Sequence, residues 1–462
     1  MSASNNTPRR RFLKNVGSAG AGFAALQVFG QTTQAHNMEQ SKPSAAYMGN
    51  FAAPALERVK VAMIGVGARG SGHAKQLASI AGVQVVGICD VVEARAKKAL
   101  ASVTQHGHTP KLYTGDTQAW HKMLDETKPD AVFIATPWNT HAPMAIMSMQ
   151  KGAHAFVEVP IATTLKEMWD IVDTSEATGK HCMMLENVNY GREELLYLNM
   201  VRQGVLGDLL HGEAAYIHAL RFQMENGDST GSWRTFEYAK RDGNLYPTHG
   251  LGPVAQYMSL ARGEDNFARI SSFSSPAKGR AAYAKQSEKL SFPQFKELNF
   301  KGGDQNTSII KTALGRTIMV QWDETTPRPY SRHNLIMGVN GVLAGFPNRI
   351  SVEGLTPSYH EWAQGKDWEA IATKYEHPLY VRLGEVAKKM GGHGGMDFLM
   401  LYRIIECLRL GQPLDQNVYE GCFWSAVAPL SEKSVAEDGI PQNFPDFTRG
   451  QWKTTAPLTI VA

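Results

Sequence analysis

The run RVKVAMIGVGARGSGHAKQLASI, residues 58–80, leaves this chain few folds to choose from. A short apolar stretch, Val59 to Ile64, leads directly into Gly65-Val66-Gly67-Ala68-Arg69-Gly70. A helical pattern follows, with Ala74, Leu77, Ala78 and Ile80 on one face. A second apolar stretch, Val83 to Cys89, ends in Asp90, 20 residues after Gly70. Glycines at this spacing permit a tight turn and close approach of the backbone to a phosphate. They also place a helix N-terminus, with its unpaired N–H groups, against a pyrophosphate. An acid at the end of the second strand accepts hydrogen bonds from both ribose hydroxyls of an adenosine and repels a 2′-phosphate. The pattern therefore predicts NAD rather than NADP, with Gly65, Gly67, Arg69, Gly70 and Asp90 at the adenosine and pyrophosphate.

The alternation of strand and helix continues. Asp130 to Ala135 and His154 to Val159 read as strands, Leu165 to Ala177 as a helix and His181 to Leu185 as a further strand. The methionine-rich helix after His141 reads as core. This order predicts a parallel, doubly wound sheet over residues 58–189, with ligands at the carboxyl ends of its strands. Those ends carry Asp90, TPWNTH (Thr136 to His141), EVP (Glu158 to Pro160) and ENVN (Glu186 to Asn189). After Asn189 the pattern changes. One helix ends near Gly207, and strands over Asp208 to His218, Ile270 to Phe273, Thr307 to Ala313, Thr317 to Trp322 and Asn334 to Val339 follow without regular helices between them. Residues 190–462 are therefore expected to form a substrate-binding α+β domain with a mostly antiparallel open sheet.

The N-terminus is of another kind. Arg9, Arg10, Arg11, Phe12, Leu13 and Lys14 match a twin-arginine export signal. A weakly apolar run to Phe29 and a small-residue site at Thr33-Gln34-Ala35 complete it. The run is too short for a membrane span, so no stable membrane insertion is expected. Residues 1–35 are read as a signal peptide and 36–57 as a polar linker, and the chain as periplasmic or secreted. The formal charge of +4 is carried entirely by Arg9, Arg10, Arg11 and Lys14. What remains is neutral and carries no basic footprint for a nucleic acid. Cys89, Cys182, Cys407 and Cys422 have no metal-ligand or C-x-x-C spacing and read as buried free thiols. His393, in the glycine-rich run Gly391 to Gly395, is read as a loop histidine without a ligand partner at i+3 or i+4, and no metal site is expected.

A Rossmann half with ATP…H after one strand and E-x-P after the next, joined to a mostly antiparallel half, resembles the glucose–fructose oxidoreductase and inositol dehydrogenase family. Members of that family usually carry Glu-Lys-Pro and an Asp three residues before a catalytic His. Here Val159 stands for the lysine and Tyr246 for the aspartate, three residues before His249. With EVP, the runs ENVNYGREEL, GSWRTFEYAKRDGNLYPTHGLGPV and GGHGGMDFLM resemble one branch, glycoside hydrolase family 109, the NAD-dependent α-N-acetylgalactosaminidases.

That resemblance implies a route unlike the two-carboxylate chemistry of most glycosidases. Oxidation of carbon 3 by NAD acidifies the proton on carbon 2. A base removes that proton, the aglycone leaves carbon 1, water adds and the hydride returns. NAD ends unchanged, which suits a protein loaded before export as a folded unit. The resemblance implies that Trp138, His141, Glu158, Val159 and Asn187 line the path to the nicotinamide. It likewise places the sugar against Tyr216, Arg234, Tyr246, Pro247, Thr248, His249 and Tyr330. Tyr246 and His249 are the proton-transfer candidates, with Glu158 beside them, and which of the first two serves carbon 2 is open. Glu158 as a helix cap, Trp138 and Tyr216 as packing and His249 as a satisfied histidine are the plain alternatives. A net sugar or cyclitol oxidoreductase, or a sugar-binding protein with a vestigial NAD site, are the rival functions. A small molecule or glycan is the expected partner, and a homo-oligomer is compatible with the sequence.

Overall fold

The computed structural model describes residues 46–227, 230–358 and 360–460; the twin-arginine signal and residues 36–45 of the linker lie outside the described residues. Ser44–Ala462 form one compact unit. The first sheet holds β1 (Val59–Ile64), β2 (Val83–Asp90), β3 (Lys111–Thr114), β4 (Ala131–Ile134), β5 (His154–Val157) and β6 (Cys182–Met184). They run parallel in the order β3-β2-β1-β4-β5-β6. Five helices lie among these strands: α1 (Ala68–Ser79), α2 (Glu93–Thr104), α3 (Ala119–Thr127), α4 (His141–Gln150) and α5 (Leu165–Thr178). Side chains alternate across a strand, and here both faces are covered. Val61 and Met63 of β1 enter one core while Ala62 and Ile64 enter the other. That is why these strands read as unbroken apolar runs. Chain order reverses between β1 and β4, and a crevice opens there at the carboxyl ends. Strand β3 is not legible in the sequence, because its four residues bury only Tyr113 and so carry almost no pattern.

The rest of the chain builds α6 (Arg192–Arg202), β7 (Leu209–Ile217), α7 (Gly231–Lys240), α8 (Thr248–Tyr257), β8 (Phe267–Ser274) and α9 (Gly279–Gln286). Strands β9 (Asn306–Thr312), β10 (Thr317–Asp323), β11 (Leu335–Gly338), β12 (Gly341–Ala344), β13 (Arg349–Val352) and β14 (Ala363–Gln364) follow. The last elements are α10 (Lys366–Tyr375), α11 (Pro378–Met390), α12 (Met396–Leu410), α13 (Val418–Ala436) and β15 (Gln442–Asn443). The nine strands pair in the order β14-β13-β12-β11-β7-β10-β9-β8-β15, antiparallel except for β7 with β10. This sheet is buried on one face only. Ile310, Ile318, Val320 and Trp322 point inward, while Ile309 and Lys311 face solvent. Helix α13 packs on β8 and α8 on β7.

Two segments tie the second half to the first sheet. Helix α12 buries Leu399, Leu401, Ile404, Ile405 and Leu408 in the same core as Val59, Val61 and Leu77. Residues 46–57, read by composition as linker, are anchored by their few apolar side chains. Tyr47 stacks on Tyr419, with ring centroids 5.1 Å apart, and Phe51 meets His181 edge-on at 4.7 Å. All four cysteines are free and buried, and among the described residues no helix is long and apolar enough to cross a membrane.

Candidate active site

A cavity of about 530 Å³ opens at the carboxyl ends of the first sheet's strands and reaches the end of β7 and the start of α8. Gly65, Gly67 and Asp90 line it, and so do Tyr216, Arg234, Tyr246 and His249.

The glycine turn is made by geometry that a side chain would block. Gly65 has φ +82°, and a Cβ there would lie 2.7 Å from the Ala135 carbonyl oxygen. A Cβ on Gly70 would sit 1.9 Å from Gly65 O, so Gly70 serves the contact of helix with strand and does not line the cavity. Gly67 differs: a Cβ there would meet only Arg95, at 4.0 Å, so this backbone is open to a ligand. Gly67 is also the N-cap of α1, with no side-chain cap and no acid in the first turn. Asp90 Oδ2 accepts the Val66 N–H at 2.8 Å and Oδ1 accepts the Val92 N–H at 2.8 Å. The carboxylate is thereby fixed in the cavity wall, with lone pairs to spare for further donors. An anion at the bare helix end and a diol at Asp90 fit this arrangement.

Between the two ends lies an ion network. The Arg69 guanidinium donates to Glu158 Oε1 at 3.1 Å and to Asp397 Oδ2 at 2.9 Å. His73 Nε2 is 2.6 Å from the same Glu158 oxygen, and Asn187 Nδ2 donates to Asp397 Oδ1 at 2.6 Å. Burial pushes the Glu158 carboxyl up, but Arg69 and then the His73 hydrogen bond outweigh it and hold it well below the usual carboxylate range. Asp397 behaves alike: burial is outweighed by the His393 hydrogen bond and the Arg69 charge. Glu158 is thus held as an anion between Arg69 and His73. His393 is not isolated, because Asp397, four residues on, is its partner at 2.9 Å and Arg69 lies 3.0 Å away. His141 is buried with Nδ1 2.7 Å from Pro160 O and Nε2 2.8 Å from Thr136 O. It cross-links the segments after β4 and β5, and burial lowers its pKa despite the two carbonyls.

The far end is aromatic. Arg234 has its guanidinium carbon 5.1 Å from the Trp138 ring, 5.4 Å from Trp233 and 5.0 Å from Tyr246. The Tyr216 ring lies 4.7 Å from Tyr246 and 5.1 Å from His249, centroid to centroid. Flat faces beside a fixed cation suit the apolar and hydroxyl faces of a sugar. Burial pushes the Tyr246 phenol well above its usual range; Arg234 opposes this, and Glu158, Glu186 and Glu324 reinforce it. Tyr246 therefore holds its proton and can donate it in a hydrogen bond. His249 Nδ1 lies 2.7 Å from Glu186 Oε1. A carboxylate only accepts, so this contact is an Nδ1–H donation, and Nε2 is the ring nitrogen outside it.

The cavity brings together Gly65, Gly67, Arg69, Asp90, Trp138, His141, Glu158, Val159, Asn187, Tyr216, Arg234, Tyr246 and His249. Pro247 and Thr248 are buried at the start of α8 and do not line it. Tyr330 does not line it either; it is exposed, with its ring 4.9 Å from His218 and 6.2 Å from Tyr216. The sequence places Glu186, in ENVN, at a ligand-binding strand end, but its pairing with His249, the roles of Trp233 and His218 and the Asp397 latch carry no sequence signal.

Residues 59–186 match the model of the oxidoreductase family's NAD-binding Rossmann fold, and residues 190–454 match that of the glycosyl hydrolase 109 C-terminal domain. A glycosyl hydrolase family 109 protein of Akkermansia muciniphila is 56% identical, with 99% of each chain covered. One from Shewanella pealeana is 53% identical over 98% of this chain and 99% of its own. Among solved structures, levoglucosan dehydrogenase in complex with NADH and levoglucosan superposes with a TM-score of 0.63 at 18% identity, covering 84% of this chain and all of that one. Scyllo-inositol dehydrogenase from Lactobacillus casei, with NAD(H) and scyllo-inositol, gives 0.58 at 12% over 84% of this chain and 99% of that one. The fold is that of these oxidoreductases, the first sheet is an NAD-binding Rossmann fold, and the chain belongs to glycosyl hydrolase family 109.

Proposed function

We propose that this chain releases terminal α-linked N-acetylgalactosamine by an oxidation, elimination, addition and reduction sequence around a retained NAD. The observation that carries the reading is a single cavity with the open Gly67 backbone and Asp90 among its walls and the Tyr246–His249 pair in the same lining. When bound, NAD supplies a hydride acceptor for carbon 3 of the sugar and later gives the hydride back, so no net NADH forms.

The chain's own residues do the rest. Asp90 receives the ribose hydroxyls and selects NAD over NADP by charge. Tyr216 and Arg234 hold the sugar. Tyr246, kept protonated by burial, donates a hydrogen bond to the oxygen on carbon 3, whose own hydroxyl proton passes to solvent as the hydride leaves and is regained when the hydride returns. His249 Nε2 takes the proton from carbon 2, the carbon 1–oxygen bond to the aglycone breaks and a carbon 1–carbon 2 double bond forms. Water then adds its hydroxyl to carbon 1, its remaining proton goes to the released aglycone oxygen, and the proton held by His249 returns to carbon 2. Val159, only 3% exposed, leaves apolar the position where related oxidoreductases carry a lysine, which favours this histidine-centred transfer over net oxidation.

The test is a panel of aryl glycosides with the purified protein, following aglycone and NADH together. Aglycone from the α-N-acetylgalactosaminide without NADH is expected. Stoichiometric NADH with no aglycone would point to the oxidoreductase reading. For location we propose export through the twin-arginine route to the periplasm or beyond, on the strength of Arg9, Arg10 and the run after them. Replacing both with Lys should retain an active precursor in the cytoplasm, and undiminished export would refute the assignment.

A further inference from the structure

Glu158, Asp397 and Glu186 are buried acids on the side of the cavity away from Asp90, and Glu186 is unlike the other two. Glu158 and Asp397 each have Arg69 as a permanent counter-charge. Among the described residues, no arginine or lysine is within ion-pair distance of Glu186. It is fully buried, Oε1 accepts the Val188 N–H at 3.1 Å, and its one side-chain partner among the described residues is His249 Nδ1. Among the described residues, Oε2 has no hydrogen-bond partner. A carboxylate buried in this way is costly unless a cation balances it. The group in contact that can become one is the imidazole itself.

The packing enforces the contact. Helix α8 lies close enough to Glu186 that a Cβ on Gly252 would come 3.1 Å from Glu186 Cγ and 2.9 Å from Asn189 Oδ1. The glycine therefore seats the turn that carries His249 directly on the acid. Other ionisable groups around His249 offer no replacement. Tyr216 and Tyr246 are held neutral by burial. His218, beyond β7, is also kept from protonating chiefly by burial, and Arg234 is a cation.

We propose that Glu186 is the positioning residue for His249. It fixes the tautomer with the proton on Nδ1, turns the Nε2 lone pair to the sugar and balances the imidazolium formed when that nitrogen takes the carbon 2 proton. This rests on the reading of His249 as the base. The two are separable, because the tautomer is a property of the protein without substrate.

The experiment has two arms on the full chain with its bound nucleotide. In the first, nitrogen NMR of histidine-labelled protein, assigned with His249→Gln, is expected to find Nδ1 protonated and Nε2 bare at neutral pH. The opposite tautomer would overturn the proposal, whatever the substrate proves to be. In the second, Glu186→Gln keeps the shape and removes the charge. It is expected to lower kcat by about 10²-fold with KM and nucleotide content unchanged. The acidic limb of its activity profile should move to lower pH, because the imidazolium has lost its counter-charge, and Glu186→Asp should recover part of the rate. Full kcat with an unmoved acidic limb in Glu186→Gln would contradict it. A wild-type protein that releases no sugar yet shows the expected tautomer would sink the glycosidase reading and leave the pairing standing.

Discussion

The two ends of the cavity are built on different principles. At the adenosine end the geometry is backbone: a positive-φ glycine, a bare helix terminus and an acid fixed by the N–H groups of Val66 and Val92. All of it comes from one strand–turn–helix–strand segment. At the sugar end the geometry is side chain: Tyr216 from β7, Arg234 from α7, Tyr246 and His249 at the start of α8, and Glu186 after β6. The first end is constrained by local sterics and tolerates few residue types. The second depends on elements far apart in the chain and can be retuned one residue at a time.

If the ends are independent in this sense, damage should stay local. The largest effect is expected at the sugar end. His249→Ala should lower turnover by about 10²–10⁴-fold, the usual weight of a positioned acid or base, with nucleotide content unchanged. Full activity in this variant would remove the histidine from the chemistry. Loss of NAD as well would mean that the ends are coupled.

Arg69 is where coupling would show, because it joins Glu158 below the glycine turn to Asp397 on α12. Arg69→Met leaves two buried carboxylates without their counter-charge and should cost about 3 kcal/mol of stability at neutral pH. The sign with pH is definite. Both carboxyls are held below their ordinary values of 4.5 and 3.8, so the stabilisation is fully present above about pH 4.5 and fades as pH falls. The gap in Tm between wild type and variant should therefore close in acid. A gap that persists to low pH would mean that Arg69 acts by packing alone.

The smallest effect is expected at the adenosine end. Asp90→Ala should weaken NAD binding by about 1–3 kcal/mol, the cost of hydrogen bonds to a charged group. Turnover at saturating NAD should stay near wild type. Tighter NADP than NAD binding in this variant would confirm charge as the selector, and unchanged NAD affinity would contradict the role of Asp90.

The same contrast explains what could be read from sequence. The glycine turn, Asp90 and the parallel alternation are local patterns, and the strands Val59–Ile64 and Val83–Asp90 lie where the apolar runs put them. Strand β3 escaped because only Tyr113 is buried. Helix α12 escaped because a helix that is apolar on most of its surface has no clear face, and nothing local says that it returns to the first sheet. Tyr246, His249 and Arg234 were reached only through resemblance. Glu186 stands 63 residues from its partner in the chain, and no spacing rule connects an acid after one strand with a histidine on a helix of the other half. The ion pairs of Arg69 are hidden for the same reason: Asp397 is 328 residues away.

The two ends of the cavity, on this reading, couple a hydride acceptor to a base at carbon 2. The decisive measurement is turnover of an aryl α-N-acetylgalactosaminide in deuterated water, with mass and NMR analysis of the released sugar. Deuterium should appear at carbon 2, because that proton leaves and returns, while a label placed at carbon 3 should be kept. Release of sugar with no deuterium at carbon 2 would contradict the elimination route.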